Sequence, residues 1–254
     1  MTFDLVDGAI PIVTTKRLAW KTCFRELMWF VRGQTDNSLL RRQGVGIWND
    51  NASRDFLDGR GLEHYREGDL GPVYGHQWRH FNAPYGSCDD DYTGMGVDQL
   101  NNVLSALQDP SQRASRRLVV SAWNPCQIDA MALPPCHVLM QFNVLRDQLH
   151  CSVYQRSADV GLGVPFNIAS YSMLTHLVAR HTGIAAGALH YHFGNCHLYD
   201  DHIDLLLEQA ERVPYPFPRV SITGERDDIG DYVLADIELS GYRHHPSITL
   251  PMRK

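Results

Sequence analysis

Cys136 and His137 follow a proline pair in the run Ala132-Leu133-Pro134-Pro135-Cys136-His137, and the run Gln155-Arg156-Ser157-Ala158-Asp159 lies further along the chain. A thiol is a nucleophile only as the thiolate, and a nearby cation lowers its pKa. A cysteine held beside an arginine can therefore attack an electrophilic carbon. The sequence between the two runs reads as the hairpin that would bring them together. Val138–Val144 and Leu149–Tyr154 have strand composition, and Arg146-Asp147-Gln148 is a short polar connection. Pairing residue 145 with 149 sets 138 opposite 156, so the mouth of the hairpin would gather Cys136, His137, Arg156 and Ser157. The hairpin alone leaves a second reading open, a buried structural cysteine beside a surface arginine.

Glu26 is the other group of interest. Trp29 and Phe30 stand three and four residues on, within one helical turn. In such an apolar setting a carboxyl pKa rises, although the segment by itself favours an exposed helix carboxylate. Histidines 190, 192, 197 and 202 with Cys196 have no familiar metal-ligand spacing, and no metal is expected.

The elements that must position these groups follow from periodicity. Residues 17–32 read as a buried helix with Trp20, Phe24, Leu27, Met28 and Val31 on one stripe and Gly33 as its stop. Residues 167–181 read as a second helix, with Ile168, Tyr171, Leu174, Leu177 and Val178 in register. A third, 198–212, carries Tyr199, Ile203, Leu206, Leu207 and Ala210 and ends at Pro214. Strands are expected at 117–123 and 138–154, and 220–239 reads as strand-rich. Residues 49–97, rich in Asp, Gly and Arg, read as ordered loops. Interspersed helices and strands predict one α/β (α+β) domain over 1–254, a mixed, mainly antiparallel sheet packed with helices.

Composition narrows the class. The chain has 254 residues, 44% apolar and 20% charged, with a net charge of −6. That balance argues against general nucleic-acid or acidic-membrane binding. Only Lys16, Lys21 and Lys254 are lysines among the basic residues, and arginine suits bidentate phosphate contacts. The six cysteines form no Cys-x-x-Cys or disulfide pattern, and no signal peptide or membrane-length apolar run is present. A reducing, cytoplasmic location is expected.

Longer motifs carry a resemblance. They are Pro11-Ile12-Val13-Thr14-Thr15-Lys16-Arg17, Ile47-Trp48, Gly68-Asp69-Leu70-Gly71-Pro72-Val73-Tyr74-Gly75, Ser115-Arg116-Arg117, Ala122-Trp123-Asn124-Pro125, Met131–His137 and the stretch Tyr154–Tyr171. In these motifs, over essentially the whole chain, the sequence resembles the thymidylate synthase family. The form with a longer loop after the first active-site tryptophan is the nearer one. The resemblance implies reductive methylation of deoxyuridine monophosphate (dUMP) to dTMP, with 5,10-methylenetetrahydrofolate as co-substrate and dihydrofolate as product. It implies a homodimer with shared active sites.

By resemblance, Cys136 adds to C6 of the uracil and makes C5 a carbon nucleophile. Arg156 and Ser157 hold the phosphate, Arg156 also favours the Cys136 thiolate, and Arg116 and Arg117 bind the phosphate of the other subunit. Asn167 reads the pyrimidine edge, and His197 and Tyr199 bond the sugar 3′-hydroxyl. Glu26 and His137 organise water near O4, with Glu26 the main acid–base group, and Tyr74 helps remove the C5 proton. Trp48, Asp159, Gly163 and Phe166 line the folate site, with Asp159 also touching substrate and chemistry, and Lys16 meets the glutamate tail.

Three departures qualify the resemblance. The family usually carries roughly thirty residues before the position of Met1. They include an Arg-Thr-Gly-Thr-Gly-Thr segment with a phosphate arginine, which has no counterpart in this sequence. An upstream continuation or an altered phosphate site is therefore expected. Asn195 and Asp201 stand where the family usually has Asp and Asn, which puts the support of His197 and Tyr199 in question. The chain ends Met252-Arg253-Lys254 instead of in a small apolar residue, which predicts a leakier lid over the folate. Two alternatives stand beside thymidylate synthesis. One is a pyrimidine nucleotide hydroxymethylase, with dUMP a better substrate than dCMP because Asn167 suits uracil. The other is a catalytically impaired paralogue.

Overall fold

The computed structural model describes residues 1–252. Arg253 and Lys254, on which the lid expectation turns, lie outside the described residues. In chain order the elements are β1 (Thr2–Asp4), α1 (Trp20–Val31), α2 (Asn37–Arg42), α3 (Arg54–Gly59), α4 (Tyr74–His80), α5 (Gln99–Gln108) and β2 (Val119–Ser121). They continue with β3 (His137–Leu145), β4 (Gln148–Asp159), α6 (Gly163–Thr182), β5 (Ala185–His197), α7 (Ile203–Ala210), β6 (Arg219–Ile222) and β7 (Ile237–Ser240). The main sheet has the order β1-β5-β4-β3-β2, and β6 and β7 form a separate hairpin-like pair. Only β4 and β5 run parallel, joined by α6 as the crossover. The other pairs are antiparallel, so the sheet is mixed and mainly antiparallel, as expected.

One face of the sheet is core. Val120, Met140, Phe142, Leu149, Cys151, Val153, Leu189 and Tyr191 are all buried, at the alternating parity a half-buried sheet requires. Helix α6 packs on this face and α1 packs on α6. α6 is buried almost all round rather than along one stripe, as befits a helix wedged between a sheet and a second helix. Its interior hydroxyls are satisfied locally: Ser172 donates to the Ile168 carbonyl and Thr175 to that of Tyr171, at 2.8 and 2.7 Å. It starts at Gly163, four residues before the predicted boundary, because Pro165 falls in the first turn, where the missing N–H has no intrahelical partner to lose. It stops at Gly183, which takes φ 69°.

The hairpin differs in register from the expectation. Leu145 pairs with Gln148, not residue 149, through a two-residue turn in which Arg146 and Asp147 have φ of 51° and 60°. Both central residues in the left-handed region make a tight turn matched to strand twist. An irregularity between His137 and Leu139 then shifts the ladder. The Arg156 N–H consequently reaches the Cys136 carbonyl at 2.8 Å.

Three other expectations are corrected. The segment 49–97 contains α3 and α4. The run Tyr74–His80 has little helical propensity and is held by packing, with Trp78 buried against Phe30 and Tyr171 at ring distances of 5.6 and 6.3 Å. Residue 75 must be glycine for this helix to approach the α1–α2 loop, because a Cβ there would sit 2.6 Å from the Gln34 carbonyl oxygen. The predicted third helix is short, Ile203–Ala210, and none of its residues is buried; Leu207 is 62% exposed. Residues up to His197 belong to β5 and a 3-10 turn intervenes, so the helix starts late and lies on the surface. The segment 220–239 holds two short strands separated by 3-10 turns and irregular chain.

Candidate active site

The hairpin mouth, the first turns of α6, α1 and the loop around Trp48 converge on one region. Cys136 is partly accessible, and its backbone N–H donates to the Tyr74 hydroxyl at 2.7 Å. Arg156 donates from Nε to the Pro135 carbonyl at 2.9 Å and from a terminal nitrogen to the Pro134 carbonyl at 3.0 Å. Its guanidinium lies over the Trp123 ring, 5.4 Å from the centroid. The proline pair thus has a direct use, since its carbonyls aim the arginine. Burial pushes the Cys136 thiol above its ordinary pKa, and Arg156 pulls it only part of the way back. The expected stabilisation of the thiolate is present in sign but loses to desolvation.

Glu26 is buried, 6% exposed, which overturns the exposed-carboxylate reading of its segment. The Trp48 indole N–H donates to its Oε1 at 2.7 Å. Burial raises the carboxyl to about 7 against the opposing Trp48 bond. The enclosure is aromatic: Tyr74 meets Phe30 at 4.7 Å, Trp48 at 6.3 Å and His137 at 5.0 Å between ring centroids. Burial lowers His137 to about 4, with Asn167 opposing, so the imidazole is neutral at physiological pH. Burial also holds the Tyr74 phenol well above its usual range, so it acts as a hydrogen-bonding phenol and not as a phenolate.

The Glu26 pKa predicts a pH effect on stability. Because the folded-state value is raised from 4.5 to about 7, the stability Glu26 permits is full below the unfolded pKa and lost as pH rises through the folded one. At 1.36 kcal/mol per unit, the loss is about 3 kcal/mol. Urea unfolding should show this decline between pH 4.5 and about pH 7 in the wild type. Glu26→Gln should flatten it, and equal pH slopes in the two proteins would remove the buried-carboxyl account.

Asn167 lies in the second turn of α6 and is buried. Gln155 fixes it. The Tyr191 hydroxyl donates to Gln155 Oε1 at 2.7 Å, so Gln155 Nε2 is the donor, to the Ser157 carbonyl at 2.8 Å and to Asn167 Oδ1 at 3.1 Å. The Asn167 amide is thereby oriented, with its Nδ2 as the remaining donor group. Gln155 and Tyr191 escaped the sequence reading. The signal was present: Gln155 continues the core-facing parity of Leu149, Cys151 and Val153 with a polar side chain.

Asp159 and His197 are neighbours across the β4–β5 ladder. Asp159 Oδ1 accepts from the Gly161 N–H at 2.8 Å. His197 Nδ1 lies 3.0 Å from Asn195 Oδ1. The amide oxygen supplies the acceptor a carboxylate would, so the Asn195 departure leaves His197 supported. The rings of His197 and Tyr199 meet at 5.3 Å. Lys16 is buried, donates to the Gly161 carbonyl and lies in the field of Asp159. Gly163 opens α6, and Phe166 and Ser157 are half-buried. Arg116 and Arg117 are exposed beside β2, apart from this cluster. Histidines 190, 192, 197 and 202 with Cys196, from which no metal site is expected, do not converge to ligand distances among the described residues. The group that does is Asp36, Cys88 and Asp89, and Arg66 already pairs with both carboxylates, at 3.1 and 2.7 Å.

The sequence profile of the family described as thymidylate synthase matches residues 1–254. The chain belongs to the thymidylate synthase family. A thymidylate synthase of Ascaris suum is 49% identical over 251 residues, covering 99% of this chain and 85% of that protein. The Saccharomyces cerevisiae thymidylate synthase is 47% identical over 261 residues, with 99% and 85% covered. The bifunctional dihydrofolate reductase-thymidylate synthase of Leishmania major is 48% identical over 254 residues, covering 99% of this chain and 48% of the larger protein. This is an enzyme family of methyl transfer to a nucleotide, and the hydroxymethylase alternative is not favoured by these relatives. No helix among the described residues is long and apolar enough to cross a membrane.

Proposed function

We propose that this chain converts dUMP to dTMP with 5,10-methylenetetrahydrofolate as co-substrate, giving dihydrofolate. One arrangement supports the reading above the rest: the Cys136 thiol at the hairpin mouth beside Arg156, with a carboxyl of near-neutral pKa, Glu26, in the adjoining aromatic enclosure. Cys136, its thiol proton passed to water in the site, would bond as the thiolate to uracil C6 while the C5–C6 π pair moves to C5 and charge gathers on O4. Glu26 exchanges a proton with water near O4, for which a pKa near the working pH is suited. Neutral His137 is a hydrogen-bond partner in that chain of water. Tyr74, kept protonated, positions the water that takes the C5 proton. Asn167, oriented by Gln155, donates from Nδ2 to O4 and accepts at Oδ1 from N3–H. Arg156 and Ser157 hold the phosphate, and His197 and Tyr199 the 3′-hydroxyl.

The donor set fits a folate. The Asp159 carboxylate is an acceptor for the N–H groups of a pterin edge, Gly163 presents no side chain, and Phe166 offers half-buried apolar surface. Trp48 ties that side of the site to Glu26. When bound, the folate supplies the one-carbon unit and the hydride.

The chain would act as a homodimer in a reducing cytoplasm. Val119, Leu139 and Tyr154 share the outer sheet face and are 37–41% exposed. A second copy on that face would cover them, and Arg116 and Arg117 beside it would reach the partner's phosphate site. Anaerobic incubation with dUMP and methylenetetrahydrofolate, read by mass spectrometry, tests the reading. dTMP with equimolar dihydrofolate is expected. Mainly 5-hydroxymethyl-dUMP would make the chain a hydroxymethylase, and bound but unconverted dUMP an impaired paralogue.

A further inference from the structure

We infer that His202 is a positioning residue: it docks the C-terminal segment onto the turn Asp159–Gly161 and so holds Asp159 in place for the folate. The docking rests on geometry alone, and its consequence for folate rests on the function proposed above.

The His202 ring is fully buried, 0% exposed, in the 3-10 turn Asp200–His202. Its Nε2 lies 2.8 Å from the carbonyl oxygen of Pro251. A carbonyl only accepts, so Nε2 carries the hydrogen and donates. Among the described residues Nδ1 has no hydrogen-bond partner, and it lies 3.9 Å from Asp159 Oδ1. A buried polar atom without a partner is costly, so the Nε2 bond and the packing around the ring are what hold it in place.

The packing is equally specific. Leu250 is buried beside the same turn. A Cβ on Gly161 would lie 2.7 Å from His202 Nδ1, 3.0 Å from Leu250 Cδ1 and 3.3 Å from Asp159 Oδ1. Residue 161 must therefore be glycine for histidine, leucine and turn to close on one another. Lys16 holds the same turn by donating to the Gly161 carbonyl. The His202 ring also packs against Tyr199, 5.4 Å between centroids. Further back the segment is held by the Arg212 guanidinium on the Pro246 carbonyl and the His245 N–H on the Thr14 carbonyl, so among the described residues the His202 bond and buried Leu250 are what dock residues 250–251 on this turn. Losing the donor frees these residues, and Asp159 loses the wall behind its turn.

Two isosteric substitutions separate this role from mere bulk. In His202→Gln the amide nitrogen falls near the position of Nε2 and still reaches Pro251. In His202→Asn it falls near Nδ1 and faces Asp159 instead. Carboxypeptidase Y digestion read by mass spectrometry should remove residues back through Leu250 about five- to tenfold faster in His202→Asn than in wild type. His202→Gln should stay near the wild-type rate. The KM for methylenetetrahydrofolate should rise in His202→Asn by a similar factor, with dUMP affinity within about twofold of wild type. Leu250→Ala weakens the same docking without touching His202 and should raise the same KM, which serves should His202→Asn fail to fold. Equal digestion of wild type and His202→Asn, or equal acceleration in both His202 variants, overturns the latch. Faster digestion with an unchanged folate KM overturns its positioning of Asp159. If the wild type makes no dTMP, the proposed reaction fails, and the digestion still decides the latch.

Discussion

Cys136→Ser is expected to lower dTMP formation at least about a thousandfold while leaving dUMP binding within a few-fold of wild type. A hydroxyl is far less ionised than a thiol at neutral pH, and the enclosure that raises the thiol pKa would disfavour an alkoxide more strongly. The groups proposed to grip dUMP, Arg156, Ser157 and Asn167, are untouched by the change. Single-turnover product formation and calorimetric dUMP binding measure the two quantities. A serine variant within tenfold of wild type would end the nucleophile assignment. A second readout is covalent trapping with 5-fluoro-dUMP and the folate. Fluorine does not leave C5 as a proton does, so the adduct persists, and its label should map to Cys136. The other cysteines are poor competitors for stated reasons. Cys23 and Cys151 are fully buried, with burial pushing Cys151 up to about 12. Cys88 is raised by its own burial and by the Asp69 charge, against which Arg66 pulls only partly. A label on exposed Cys126 or Cys196 would contradict the site.

Asn167→Asp should shift the dCMP-to-dUMP ratio of kcat/KM by about tenfold to a hundredfold toward dCMP, as a hydrogen-bond mismatch of about 1–3 kcal/mol implies. Gln155 holds Oδ1 as an acceptor, which leaves the amide nitrogen to donate toward O4 of uracil. Cytosine carries an amino donor there and a bare N3. A protonated carboxyl can accept from the first and donate to the second, whereas the fixed amide leaves both mismatched. Steady-state kinetics on both nucleotides decide it, and an unchanged ratio would remove Asn167 from base readout.

The relation between chain and fold is uneven in an instructive way. The hairpin was legible because strand composition and a polar connection are local signals. Its register was not, since Arg146 and Asp147 adopt left-handed conformations that their residue types do not demand. The irregularity near His137 then brought Cys136 and Arg156 together despite the wrong count. Helix α1 was legible from its stripe, but the burial of Glu26 within it was not. Trp48, distant in sequence, closes over that carboxyl and bonds to it. Helix α4 and strand β5 went unseen because neither has strong local propensity. Trp78 packing makes the one, and pairing with β4 and β1 makes the other. The surface position of α7 reversed a periodicity argument, because an apolar stripe states what could be buried and not what meets it.

By itself the sequence determined the residue types that carry the chemistry, the order of the motifs that place the chain in its family, and the alternation that makes β3 and β4 half-buried strands. The tertiary structure alone decided the protonation of those residues and their aim. Desolvation outweighs Arg156 at Cys136, lifts Glu26 to about 7 and keeps His137 neutral. Gln155 turns Asn167, and His202 reaches the C-terminal segment. The physical reason is common to all of these. A residue's type fixes which bonds and charges it can offer, but its pKa and orientation depend on how much water is removed around it and on which partners the rest of the chain delivers, and both are set by packing between segments far apart in sequence.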